Sequence, residues 1–179
     1  MSLRITELDT LSDARAQELL RACCGASAWV SAMLARRPFR TREALLESGD
    51  QVWSQLAPPD WLEAFAHHPR LGERQAAAAV APVARAWSAA EQAGTAAATA
   101  GMSAALAAAN RAYEARFGFI FIVCATGMSA SEMLAALEQR LTNDPEAERR
   151  IAAEEQRKIT RRRLEKLVPA THPEAEVSS

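Results

Sequence analysis

The sequence predicts an all-α, single-domain bundle of several helices. Three observations carry that expectation. Alanine, leucine, arginine and glutamate are abundant while β-branched residues are few, a composition that favours helix. Apolar residues recur at helical spacing through much of the chain. Helix-start residues (Ser, Thr, Asp, Asn) stand ahead of several of those runs.

Taken in order, Ser12 or Asp13 caps a first helix carrying Leu19 and Leu20. Trp29, Val30, Met33 and Leu34 mark a second, ended by Pro38. Thr41 caps a third, with Leu45, Leu46, Val52, Trp53 and Leu56 on its apolar side and an expected break near Gly49. Pro58-Pro59-Asp60 opens a short helix that leads to His68. The alanine-rich stretch from Arg74 to Ala86, interrupted by Pro82, is read as partly ordered loop. A long helix fits roughly Gly101 to Arg116, with Gly118 as its stop. FIFIVCA, residues 119–125, has strand composition. No partner strand is visible, so the segment is read as buried and either extended or helical. Ser129 to Glu132 fits a capping box ahead of MLAALEQRL. Asn143 or Asp144 caps the last helix, with Pro145 at its first position and its end near Val168. The helical domain is therefore expected at 1–168 and a disordered tail at 169–179.

Bulk properties narrow the function classes. A chain of 179 residues is long enough for one domain with a real core. A net charge of −1 gives no electrostatic case for nucleic acid or an anionic membrane as partner. No apolar run approaches membrane-spanning length, the N-terminus lacks signal-peptide features, and EAEVSS is not a peroxisomal signal. Cys23, Cys24 and Cys124 form no metal or redox spacing, and their odd number argues against a disulfide framework. A reducing cytoplasm is the expected compartment.

Three constellations can carry chemistry. The first is His68 in HPRLGE. Proline disfavours helical angles at the residue before it, so His68 is presented at a helix end beside Arg70 and Glu73, a plausible acid/base centre. A capping or surface histidine is the plainer reading. His67 points elsewhere, because adjacent residues do not share a helix face, and the pair makes a poor metal site. The second is Ser88-Ala89-Ala90-Glu91-Gln92-Ala93-Gly94. Its spacing reads first as a capping box; a helix start whose Ser88, Glu91 and Gln92 surround a polar ligand is compatible with that. The third is the basic run from Arg157 to Arg163. Most of its charges are expected in solvent. Arg163 differs: it stands four residues from both Ile159 and Leu167 and shares their apolar stripe. A guanidinium aimed inward needs an acidic partner or an anionic ligand. Arg140, three after Leu137, is a weaker candidate of the same kind.

These segments together resemble the family of 2-oxo-4-hydroxy-4-carboxy-5-ureidoimidazoline (OHCU) decarboxylases. The matching pieces are RPF at 37–39, HPRLG at 68–72, SAAEQAG at 88–94, NRAYEARFGFIFIVCA at 110–125, LEQRLTN at 137–143, and E-x-x-KI-x-x-x-RL from Glu155 to Leu164. They occur in family order. The resemblance implies an all-helical, cofactor-free homodimer acting on a small molecule in urate breakdown, with (S)-allantoin as product. It implies His68 as catalytic acid/base and Pro69 as a lining residue. It implies Ser88, Glu91 and Gln92 as substrate contacts, with Glu91 orienting the substrate hydroxyl or the imidazole. Phe121, Ile122, Val123, Cys124 and Ala125 offer ligand contacts, largely by backbone, and Arg163 holds negative charge. Ile120 departs from the proline that the family often has there. Two readings compete with it: a non-catalytic helical regulator or scaffold, and another cofactor-free lyase or hydrolase on the same fold.

Overall fold

Polar caps decide where this chain turns helical. The computed structural model describes residues 2–70, 87 and 100–170. These form α1 (Ile5–Thr10), α2 (Asp13–Cys23), α3 (Ser27–Ala35), α4 (Arg42–Ser54), α5 (Pro58–Ala66), α6 (Ala100–Phe117), α7 (Ala130–Arg140) and α8 (Pro145–Leu167), and no strand occurs among the described residues. Side chains of Ser12, Thr41, Ser129 and Asp144 accept backbone N–H groups at the starts of α2, α4, α7 and α8, satisfying donors that a helix leaves orphaned. Prolines open α5 and α8, where a missing N–H costs nothing. Gly118, at φ +79°, stops α6 in a conformation that suits glycine.

Helix α8 is the hub. It packs against α2, α4, α5 and α6, while α2, α3 and α4 pack in succession and α7 lies on α6. Trp29, Leu45, Phe65, Leu106, Tyr113, Leu137 and Leu164 fill the core. Leu106 and Tyr113, two turns apart on α6, are both fully buried, as their spacing predicts.

Three expectations need correction. No break occurs near Gly49, because the glycine serves a close approach instead. A Cβ there would lie 2.8 Å from Leu164 Cδ1, and the Gly49 carbonyl accepts from Trp29 Nε1 at 3.1 Å. Leu56 falls just beyond the end of α4 and is only partly buried. The short α1 was not anticipated; it rests on Glu7, whose carboxylate accepts from the Arg4 N–H at 2.7 Å. The Arg74–Ala86 loop and residues 171–179 of the tail lie outside the described residues.

Residues 119–125 are neither strand nor helix. Buried backbone must still find partners, and here side chains from three helices supply them. Asn110 Oδ1 accepts from the Phe121 N–H at 3.1 Å, and Glu155 Oε2 from the Cys124 N–H at 2.8 Å. Arg140 Nη1 donates to the Ile122 carbonyl at 2.8 Å. Arg140 therefore serves the fold. Its guanidinium lies 4.5 Å from the Phe121 ring centroid and pairs at 2.6 Å with Glu148, which is fully buried. Asn143 Nδ2 donates to the other Glu148 oxygen at 2.6 Å, and the Tyr113 hydroxyl donates to Glu148 too. Burial, then the Glu148 carboxylate, push the Tyr113 hydroxyl pKa up and keep it neutral.

Removing the cation from this cluster leaves a carboxylate buried with only neutral partners. Arg140→Met is expected to lower the unfolding free energy by about 3–5 kcal/mol in urea titrations.

Candidate functional site

His68 is placed by the end of α5. The His67 and His68 N–H groups bond back to Ala64 and Phe65 at 3.2 and 3.1 Å, and Pro69 then leads the chain away. A latch sets where that end points. Glu63 accepts from the Ser27 N–H at 2.9 Å and from its hydroxyl at 2.5 Å, tying α5 to the start of α3. The Ser27 bonds hold the Glu63 carboxyl below its ordinary pKa. Gly25, just before α3, has no side chain because His67 occupies that space: a Cβ there would stand 2.3 Å from His67 Cγ. His67 therefore covers Gly25 from the exposed side, and its neighbour His68 is partly buried.

Beneath His68 lies one face of α8. Gln156, Thr160 and Arg163 are spaced four and then three residues apart and share that face; their exposures are 0%, 3% and 5%. Arg163 takes the inward position expected from Ile159 and Leu167, which are also buried. Its Nη1 donates to the Ala22 carbonyl at 3.3 Å. Ala22 belongs to the last turn of α2, where unpaired carbonyls and the helix dipole favour a cation. The rest of the basic run is engaged differently. Arg157 and Arg161 meet Asp50 of α4 at 2.7 and 2.6 Å, so part of this charge is spent inside the fold.

Burial, and then the charge of Arg163, push the His68 pKa down to about 3. Gln156 opposes this through its side-chain interaction with the ring, and His67, the least of these causes, adds to the depression. A neutral imidazole thus sits beside a fixed cation. Cys24 completes the floor: burial pushes its thiol up to about 11, so it is not a nucleophile here. A cavity of about 240 Å³ opens beside His68, between Phe65, Phe119, Ile120 and the Arg70–Glu114 ion pair at 2.7 Å. Among the described residues no group of three or more His, Cys, Asp or Glu could hold a metal ion, and no helix is long and apolar enough to cross a membrane.

Of the residues singled out in the sequence, His68 and Arg163 come together, and Pro69 follows His68 as a partly buried neighbour. Phe121, Ile122 and Ala125 are buried, and Val123 and Cys124 partly so. The Phe121 and Cys124 N–H groups and the Ile122 carbonyl are already taken by protein side chains. Among the described residues, no hydrogen bond engages the N–H of Ile122, Val123 or Ala125. Arg70 pairs with Glu114 and remains exposed to solvent. Ser88, Glu91 and Gln92, with Glu73, lie outside the described residues. Gln156 and Thr160 were missed. The available signal was their register with Arg163 on the last helix.

Residues 9–165 match the model of the OHCU decarboxylase family. The chain is 42% identical over 148 residues to the uric acid degradation bifunctional protein TTL of Arabidopsis thaliana, covering 82% of this chain and 45% of that protein. It is 45% identical over 65 residues to the 2-oxo-4-hydroxy-4-carboxy-5-ureidoimidazoline decarboxylase of Amia calva, covering 35% of this chain and 37% of that one. The chain thus spans less than half the length of the curated relatives it matches. A crystal structure of OHCU decarboxylase in the presence of (S)-allantoin superposes with a TM-score of 0.71 at 36% identity, covering 84% of this chain and 96% of that chain. A crystal structure of (S)-allantoin synthase matches at TM-score 0.66 and 20% identity, over 93% of this chain and 54% of that one, which supports the fold alone.

The depressed His68 pKa has a stability consequence. An unfolded chain takes up this proton near 6.5, the folded one only near 3. Between those values the unfolded state binds more protons, so stability falls as pH drops below 6.5 and the loss levels off below 3. His68→Gln is expected to remove this slope from denaturation midpoints measured across the window. NMR titration should show a neutral His68 ring midway between the two values.

Proposed function

The chain belongs to the OHCU decarboxylase family, and from that premise we infer that it removes CO2 from OHCU, without a cofactor, to give (S)-allantoin in urate degradation. The observation that carries this reading is the neutral His68 held beside the buried Arg163 guanidinium. That pair suits a small anion with an exchangeable proton: the cation takes the carboxylate's charge and the imidazole accepts a proton.

The chemistry follows from the substrate. The bond to the carboxylate breaks, CO2 leaves, and the electron pair passes into the neighbouring unsaturated ring, whose imine nitrogen takes up one proton from solvent. The hydroxyl proton is lost as a carbonyl forms, and a proton is placed on one face of the ureido-bearing carbon. No external electron sink is required. The protein's tasks are orientation, charge stabilisation and proton placement. His68 exchanges the proton. A bound anion offsets the Arg163 charge that depresses the imidazole, so substrate raises the basicity of the group it needs. Arg163 holds developing negative charge by a charge-assisted contact. Ser88, Glu91 and Gln92 fix the polar groups of the substrate, Glu91 on the hydroxyl or the imidazole. Pro69 lines the site. Phe121, Ile122, Val123, Cys124 and Ala125 wall it, with the N–H groups of Ile122, Val123 and Ala125 as donors to the ring and ureido oxygens.

The same reading makes the active form a homodimer in the cytoplasm, built from the domain at residues 1–168. Three free thiols support a reducing compartment. A regulatory or scaffold role on nucleic acid is disfavoured by the Arg157 and Arg161 pairing to Asp50.

Circular dichroism of freshly generated OHCU should develop the (S)-allantoin signal faster than the spontaneous reaction. His68→Asn is expected to slow turnover by about 10²–10⁴-fold, and near-normal turnover in it would remove the catalytic assignment. Arg163→Lys keeps the charge but not the planar fork, and should lose about ten- to a hundredfold in kcat/KM. Wild-type kinetics in that variant would take Arg163 out of substrate contact.

A further inference from the structure

We propose that Gln156 is a positioning residue that fixes the tautomer of His68, its carboxamide oxygen accepting the N–H of one ring nitrogen so that the other presents its lone pair to the substrate. The inference rests on His68 being the proton-transfer group.

Four observations lead to it. Gln156 is fully buried on the α8 face beneath His68, and a buried carboxamide is costly unless both of its ends are used. One end is committed: Nε2 donates to Thr160 Oγ1 at 3.2 Å. The other, Oε1, completes no hydrogen bond of good geometry although solvent cannot reach it. The group that Gln156 meets is the imidazole, whose protonated form it favours, as an acceptor does and a donor would not. An acceptor facing a neutral imidazole selects the tautomer with a proton on the near nitrogen.

What holds the amide in that sense is the rest of the polar floor. Thr160, one turn along α8, interacts in turn with the Cys24 thiol, which also receives the Ala26 N–H. The thiol is neutral, so no charge there competes for the amide. Flipping the carboxamide would turn its N–H toward His68 and leave Thr160 without that donor. The row Cys24, Thr160, Gln156, His68 therefore runs from the end of α2 through α8 to the end of α5. Among the described residues, the charged and titratable groups that act on the ring from around it are Arg163 on α8 and His67 beside it; Glu63 acts on Cys24 and is held by Ser27.

The consequence concerns direction of proton flow. With one nitrogen engaged by Gln156, His68 meets the substrate as a base and returns the proton through the same nitrogen. Without Gln156 the ring populates both tautomers, and part of the enzyme presents an N–H where a lone pair is needed. Substrate binding through Arg163 and the other contacts is untouched, so the loss falls on kcat rather than on KM.

The test compares wild type, Gln156→Met and Gln156→Glu, all with nitrogen-labelled histidine. Heteronuclear NMR of the wild-type protein should show a single neutral tautomer for His68, and Gln156→Met should mix the two. The same variant should lose about ten- to a hundredfold in kcat, the lower part of what a positioned acid/base contributes, with KM little changed. Gln156→Glu keeps the acceptor and adds charge. It should restore the single tautomer and move the acidic limb of kcat/KM to higher pH. An unchanged tautomer in Gln156→Met would overturn the proposal. So would a fall in activity carried by KM, or a Gln156→Glu enzyme whose ring ionises as in wild type. Should Gln156→Met fail to fold, Thr160→Val frees the amide to flip and must then shift the tautomer; if it does not, the proposal fails. The NMR readout needs no turnover. A wild-type chain inactive on OHCU would count against the functional reading, whereas an undisturbed tautomer in an active enzyme counts against this one.

Discussion

A guanidinium in the interior is the constraint around which this molecule is arranged. Arg163 is almost fully buried, and a bare charge at such a place is costly. Part of its compensation comes from the end of α2, whose Ala22 carbonyl accepts from it. That fixes how α8 crosses α2, and the Glu63–Ser27 latch then brings the end of α5 over the same spot. His68, partly buried, meets a cation and stays neutral there. A histidine in water would be partly protonated near neutral pH and a poorer base. The fold thus supplies a charge for binding and an uncharged group for proton transfer in one place.

The inner face of α8 divides this work along its length. Near its start, buried Glu148 pairs with Arg140, which also grips the Ile122 carbonyl. Midway, Glu155 takes the Cys124 N–H and Gln156 turns toward His68. Further on stand Thr160 and Arg163. One helix therefore sets both the irregular wall at 119–125 and the proton-transfer group. Side chains from three helices replace the neighbouring strand that the wall's composition calls for. This leaves the Ile122, Val123 and Ala125 N–H groups uncommitted among the described residues, which a fully paired strand would not.

Much of this was legible in the sequence because the signals were local. Ser12, Thr41, Ser129 and Asp144 cap helices as their side chains predict, and Arg163 faces inward as its spacing to Ile159 and Leu167 requires. Where one residue has two uses, the pattern misled. Gly49 reads as a breaker, yet it is there to admit Leu164. FIFIVCA has β composition, but the partners of its backbone come from Asn110, Arg140 and Glu155, distant in sequence. Gln156 looks like an ordinary solvent-facing helix residue until α5 and α2 are placed against it. The roles of Ser88, Glu91 and Gln92 rest on resemblance alone.

The account depends on Arg163 acting electrostatically on His68. The direct measurement is the His68 ionisation, followed by NMR in wild type and in Arg163→Met. The account predicts a pKa that rises in the variant yet stays below 6.5, since burial, the larger cause, remains. Superimposable titration curves would show that the guanidinium and the imidazole do not share a site, and the proposed chemistry would lose its basis.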